Sequence, residues 1–265
     1  MTKDDTRNAG QWDEISSKRD LMKCPDFSKI STQSDQQKKL PQPPLSHQAR
    51  GEVLELPTDF GELTIRPSYA ELLDVRRSGR KYDKRTPLTQ EQLAFLLWSA
   101  QGIQSIIGKN YATLRPVPSG GARHPFEIYV AVRDVEGLAA GLYHYLPALH
   151  IGEKRVAVEY VKPLDDYAAV VTDMLAGQKW AAKAPAVVFL SCVAYRAEWR
   201  YGTFAHRVAL IDLGHVGQNL MLSATALELT SCCMAAYDQS LCDTTLGLDG
   251  DEEYTVYACS VGRAV

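Results

Sequence analysis

The chain has 265 residues, 45% of them hydrophobic, with 29 Lys and Arg set against 32 Asp and Glu. That is enough apolar material for a substantial core, in one domain or one domain with an extension. The near balance of charge, with no basic stripe interleaved with aromatics, argues against a nucleic-acid surface; no apolar run reaches the roughly 20 residues that span a bilayer, and residues 1–10 lack the apolar segment of a signal peptide, so a cytoplasmic protein is expected.

Residues 1–65 are polar and rich in Lys, Asp, Gln, Ser and Pro, with Pro41-Gln42-Pro43-Pro44 as a stiff extended piece. This composition predicts an arm that is mobile in part or wraps a main domain covering residues 66–265. The pattern tightens at Pro67. Ser68 with Glu71 spells a capping box, and Tyr69, Leu72 and Leu73 form an apolar face. Thr89 with Gln92 spells a second, and Leu93, Leu96, Leu97 and Ala100 keep helical spacing until Gly102. Residues 126–132 read as a strand. Tyr143-His144-Tyr145 and residues 155–159 alternate weakly, as edge strands or a hairpin do. Asp165 opens a helix ending near Gly177, and residues 186–193 form a continuous apolar run of the kind buried on both faces. Residues 207–229 make the longest helix, apolar nearly all round except for a stripe of Asp212, His215, Gln218 and Asn219. Such a helix needs cover from the rest of the domain or from a second subunit. Residues 254–261 give the last strand. Without strict βαβ alternation, the expected class is α+β.

Two motifs carry chemistry. Arg76-Arg77-Ser78-Gly79-Arg80 packs three guanidinium groups and a hydroxyl into five positions, a set suited to phosphate oxygens because the planar fork binds them bidentately. Pro118-Ser119-Gly120-Gly121-Ala122-Arg123-His124-Pro125 is a turn whose glycine pair admits close backbone approach to a flat ligand. Taken singly, the first motif also reads as solvated charge near a helix C-terminus and the second as a turn before a strand. His215 reads as a hydrogen-bonded core histidine, Tyr201 equally as a packing residue, and residues 249–253 as a solvated acidic turn. The six cysteines form no CxxC pair and match no usual zinc spacing, so they read as buried free thiols, with no metal inferred.

In order along residues 67–263, the sequence resembles the FMN-dependent nitroreductase superfamily, and within it the SagB-type dehydrogenase branch. The resemblance is carried by the arginine motif, Leu96-Leu97-Trp98-Ser99-Ala100-Gln101-Gly102, residues 115–129, Val135-Glu136-Gly137-Leu138, Gly141-Leu142-Tyr143-His144-Tyr145, Gly214-His215-Val216-Gly217-Gln218-Asn219-Leu220 and Ser260-Val261-Gly262. Residues 12–50 loosely resemble the amino-terminal extension of the same branch. The resemblance implies a nitroreductase-like fold, a central antiparallel sheet flanked by helices, in an intertwined homodimer with two FMN molecules at the interface. By similarity Arg76, Arg77, Ser78 and Arg80 hold FMN. Pro118, Ser119 and Gly120 reach it from the other subunit, and Arg263, beside Gly262, closes on its phosphate. NADH or NADPH is the implied hydride donor and a small-molecule nitro or quinone-like compound the acceptor, in a ping-pong cycle. Azoline-oxidising members of the branch carry a Lys-Tyr pair before the long helix. Here Tyr201 is kept as a candidate catalytic residue, while Arg200 stands at the lysine's place and does not deprotonate as a lysine can. Two other readings therefore accompany the reductase: a SagB-like azoline dehydrogenase of modified peptides, and a non-catalytic flavin-binding subunit or carrier.

Overall fold

The computed structural model describes residues 9–24, 32–58, 60–61, 63–66, 68–153 and 155–265. In chain order the elements are α1 (Ala9–Ser17), β1 (Glu52–Leu56), α2 (Tyr69–Val75), α3 (Gln90–Gln101), the small hairpin β2 (Ser105–Ile107) and β3 (Ala112–Leu114), β4 (Phe126–Val132), β5 (Gly141–Tyr145), β6 (Val156–Lys162), α4 (Tyr167–Met174), β7 (Ala186–Val193), α5 (Ala194–Tyr201), α6 (Ala205–Ala226), β8 (Leu229–Met234), α7 (Gln239–Leu246) and β9 (Glu253–Arg263). Seven strands form one sheet in the order β1-β6-β5-β4-β7-β9-β8, and every pairing is antiparallel. The fold is α+β, as the element pattern predicts.

Strand periodicity divides the core. Ile128, Val130, Val188 and Leu190 pack with Leu93, Leu97, Leu213, Val216 and Leu220 of α3 and α6. Their alternates Tyr129, Ala131, Val187 and Phe189 pack with Val171, Met174, Cys242 and Leu246 of α4 and α7. Side chains of a strand alternate between faces, so helices on both sides demand apolar residues at every position. Helix α3 begins at the Thr89–Gln92 capping box, both halves of which are made.

Several expectations need correction. The strands at 141–145 and 156–162 form a hairpin in the interior of the sheet; the outer position beside them belongs to Glu52–Leu56, inside the segment read as an arm. The Ser68–Glu71 capping box is half made: Ser68 Oγ accepts the Glu71 N–H, but the Glu71 carboxylate pairs with Arg66. Pro67 lies outside the described residues. On the apolar face of α2, Leu72 is half-buried while Tyr69 and Leu73 are exposed. Asp166, not Asp165, caps α4. The longest helix starts at Ala205 and ends at Ala226, because Leu229 already belongs to β8. His215 is exposed, 4.0 Å from Asp212, and is no core histidine. In the acidic turn, Asp249 accepts the N–H groups of Asp251, Glu252 and Glu253, while Glu253 is only part-exposed and pairs with His47 at 2.7 Å. All the cysteines are free, but Cys24 is exposed and Cys233 half-buried. Among the described residues no helix is long and apolar enough to cross a membrane, and no group of three His, Cys, Asp or Glu is placed to hold a metal.

Residues 32–51 run as a strap fastened by α5. Tyr195 donates to Asp35, Arg196 to the Pro44 carbonyl, Trp199 to the Leu40 carbonyl, and Arg200 to Gln36. Beneath the strap is a buried ionic network. His144 lies between Glu159 (3.0 Å) and Glu127 (3.2 Å), Arg196 pairs with Glu127, and Glu159 also accepts the Arg50 and Gly51 N–H groups. Burial alone would lower the His144 pKa, but the hydrogen bonds to both glutamates outweigh it and hold it at about 9.

Candidate functional site

The arginine motif follows α2 as an extended segment laid along β8. Ser78 bridges to Ser231, and the Gly79 N–H donates to the Ser231 carbonyl at 3.0 Å. Only glycine fits at position 79: a Cβ there would lie 1.8 Å from Thr230 Oγ1. Tyr82 then ties the segment to the sheet, its hydroxyl donating to the Gly79 carbonyl at 3.1 Å and meeting Ser260 Oγ at 2.7 Å. Asp83 N–H donates to the Arg263 carbonyl, which brings the end of β9, with Gly262 and Arg263, beside the motif. Arg80 lies over the Trp180 ring at 5.4 Å, and Arg77 turns back onto the Asp74 and Arg76 carbonyls. Among the described residues no carboxylate is within ion-pair distance of Arg76, Arg77, Arg80 or Arg263. The three arginines of the motif, free of carboxylate partners among the described residues, are donors suited to a multivalent anion, while the Arg263 side chain lines a separate cavity with Thr89, Gln92 and Glu228.

The second motif is built on α6. Asp212, 5% exposed, accepts from Ser119 Oγ (2.7 Å) and from the Gly120 N–H (2.9 Å) with one carboxylate oxygen. Ser119 Oγ in turn accepts the His124 N–H at 2.9 Å. Burial raises the Asp212 pKa, and the two bonds from the loop work against that rise. The Gly120 N–H is thus engaged inside the chain, contrary to the expectation that this glycine offers it to a ligand. Gly121 is left-handed (φ +57°), and a Cβ there would meet Arg200 Nε at 2.4 Å and the Tyr201 hydroxyl at 2.8 Å. Ala122 (φ +52°) and His124 (φ +43°) are left-handed without being glycine. Such strain persists where surrounding bonds over-determine the backbone, as it does in functional loops. Arg123 and His124 are both buried.

The structure therefore groups the predicted residues twice: Arg76, Arg77, Ser78 and Arg80 on one segment beside the backbone of Gly262 and Arg263, and Pro118, Ser119 and Gly120 with Tyr201. Among the described residues no hydrogen bond joins them. Sequence reasoning missed Trp180 under Arg80, the anchoring role of Asp212, and Tyr111, whose hydroxyl accepts from Arg200 and from Gln36. Asp212 already stood out as a charge on an apolar helix; Trp180 and Tyr111 carried no local signal.

The sequence profile of the Nitroreductase family matches residues 73–263. The chain belongs to that family and is an oxidoreductase. The candidate nitroreductase MJ1384 of Methanocaldococcus jannaschii is 33% identical over 196 residues, covering 74% of this chain and 90% of that one. The trifolitoxin-processing protein TfxB of Rhizobium leguminosarum bv. trifolii is 33% identical over 153 residues, 56% of this chain and 39% of TfxB. A candidate nitroreductase structure from Anabaena variabilis superposes with a TM-score of 0.59 at 26% identity, covering 74% of this chain and 38% of the longer one.

Proposed function

We propose that the protein is a homodimeric FMN-dependent reductase that uses NADH or NADPH to reduce nitro or quinone-like small molecules. The observation that carries this reading is the arginine motif, Arg76, Arg77 and Arg80, on a segment hydrogen-bonded to β8 and without carboxylate partners among the described residues, with the end of β9 alongside. Ser78 adds a hydroxyl donor, and the sheet hydrogen bonds of Ser78 and Gly79 fix the segment before any ligand arrives, which lowers the ordering cost of binding. When bound, FMN supplies hydride transfer in two half-reactions, one with the nicotinamide and one with the acceptor. Arginines near the flavin's pyrimidine edge favour the anionic reduced form electrostatically.

The Pro118–Gly120 loop and Tyr201 form the opposite wall of the cleft, contributed by the second subunit. Two uncovered apolar faces support the dimer: Tyr69 and Leu73 on α2, and Leu210 (50% exposed) and Ile211 (48%) on α6. Faces of this kind on neighbouring helices mark an association surface. The site test is the double variant Arg76→Ala/Arg80→Ala, which loses FMN while keeping its circular dichroism. Retained stoichiometric flavin would place the phosphate site elsewhere.

A second reading, dehydrogenation of azoline rings in a modified peptide, draws support from the likeness to TfxB and from Tyr201. Arg200 weighs against it, since a guanidinium stays protonated and serves poorly as a base. Oxidation of an azoline peptide that is abolished by Tyr201→Phe would select this reading over the reductase.

A further inference from the structure

Beside the second cluster lies a cavity of about 340 Å³ whose wall is shared by the strap and by the end of α5 with the turn that leads into α6. Ser34, Gln36 and Gln37 line it from the strap, and Arg200, Tyr201 and Phe204 from the body. The side chains that shape it are tightly placed. Tyr111 hydroxyl accepts from both Arg200 Nη1 and Gln36 Nε2, and Gln36 Oε1 accepts from Arg200 Nη1 at 3.3 Å. The Gln36 N–H is bonded to the Trp199 carbonyl at 2.8 Å, so the strap cannot lift without breaking this set.

The cavity wall is positive. Arg200 keeps Nη2 without a partner among the described residues, and no carboxylate is in ion-pair reach of it. Arg123 stands behind, stacked between Tyr111 (4.8 Å) and Trp199 (5.4 Å), its guanidinium donating only to the Gly121 and Tyr111 carbonyls. Its charge is equally uncompensated. The acids on adjoining segments are already taken, Asp35 by Lys38 and Tyr195, and Glu198 by His206. Two guanidinium charges fixed by neutral partners next to an open cavity attract an anion, and the Nη2 of Arg200 can donate to a carboxylate. Tyr201, with Arg200 5.6 Å above its ring, and Phe204 supply aromatic surface for a flat body.

We propose that this cavity is the acceptor subsite and that Arg200 selects planar small molecules bearing a carboxylate. The inference rests on the reading that the Pro118–Gly120 loop and Tyr201 border the flavin. It narrows the substrate class from nitro and quinone-like compounds in general to anionic ones, and it gives a positive role to the arginine that stands in place of a lysine.

The test pairs 4-nitrobenzoate with 4-nitrobenzyl alcohol, similar in shape and different in charge, on the FMN-loaded protein. The expected kcat/KM ratio favours the benzoate by roughly tenfold or more, the gain from a charge-assisted contact. It falls toward unity in Arg200→Gln and to an intermediate value in Arg200→Lys, which keeps the charge without the fork. A second measurement needs no turnover: calorimetric titration with benzoate, whose Kd rises roughly tenfold in Arg200→Gln and also rises with salt. Benzoate binding that depends on Arg200, with neither nitro compound reduced, would uphold the subsite and sink the reductase reading. Equal reduction of both compounds, or benzoate binding indifferent to Arg200→Gln, would overturn the subsite.

Discussion

Replacing Gly79 by alanine tests how the arginine motif is held. An ideal Cβ at position 79 falls 1.8 Å from Thr230 Oγ1 and 3.1 Å from Thr230 Cβ. Carbon atoms pack at about 3.5–4.0 Å. Rotating the threonine hydroxyl away relieves the first clash and leaves the second, because Cβ cannot rotate. The segment must then withdraw from β8, straining the Gly79–Ser231 hydrogen bond and moving Ser78 and Arg80 with it. Overpacking of this kind costs about 1–3 kcal/mol. Where that cost falls on the flavin-bound state, the FMN Kd rises about 5- to 140-fold, at 1.4 kcal/mol per factor of ten. Flavin fluorescence quenching on titration reads Kd, and circular dichroism reads the melting temperature. Thr230→Gly added to Gly79→Ala removes both contacts and should recover most of the lost FMN affinity. An unchanged Kd in Gly79→Ala, or a double variant no better than the single, would refute the reasoning.

Other expectations follow from the same geometry. Asp212→Ala strips the Ser119 hydroxyl and the Gly120 N–H of their acceptor, at about 1.5–3 kcal/mol for a hydrogen bond to a charged group, whereas Asp212→Asn keeps an acceptor and loses less; equal melting temperatures for the two variants would contradict this. The His144 network makes stability depend on pH. His144 is raised from 6.5 to about 9, so its contribution is complete below pH 6.5 and is lost as pH rises through 9. Glu159 is lowered from 4.5 to about 2, chiefly by its hydrogen bond to His144, so its contribution is complete above pH 4.5 and is lost as pH falls toward 2. Thermal melts should therefore be highest between pH 4.5 and 6.5, and His144→Gln should flatten the decline from pH 6.5 to 9; an unaltered profile in that variant would disprove the assignment. Glu228, just after α6, is left-handed at φ +58°. Glu228→Gly removes a conformational cost of about 1–2 kcal/mol and adds about 0.5–1 of chain entropy, for a net gain of about 0.5–1 kcal/mol on melting.

The parts of the fold that local chemistry decides were legible in the residues. Helix α3 was visible because its capping box and its 3.6-residue spacing agree, and β4 and β7 because burial on both faces writes an unbroken apolar run. Strand β1 was hidden: Glu52-Val53-Leu54-Glu55-Leu56 is a short alternation in a polar stretch, and it becomes a strand only through its pairing with β6. The same limit applied to the candidate site. The spacing offered the arginines as a candidate donor set beside the alternative of solvated charge, and what positions them was not legible, since Tyr82 reaches Ser260 across 178 residues. Likewise Ser119 is fixed by Asp212 93 residues away, and Arg200 by Gln36 at 164. Glu228 shows the converse: a left-handed backbone carries a side chain where nothing in the local sequence announces the turn, and the fold tolerates the strain.

Absorption spectroscopy of the purified protein, mixed anaerobically with FMN and then with NADH or NADPH, tests the central claim most directly. The account predicts tight uptake of one flavin per chain in a dimer, bleached by a nicotinamide, with the uptake lost in Arg76→Ala/Arg80→Ala. A monomer that takes up no FMN, or a double variant that binds it as well as the parent, would contradict it.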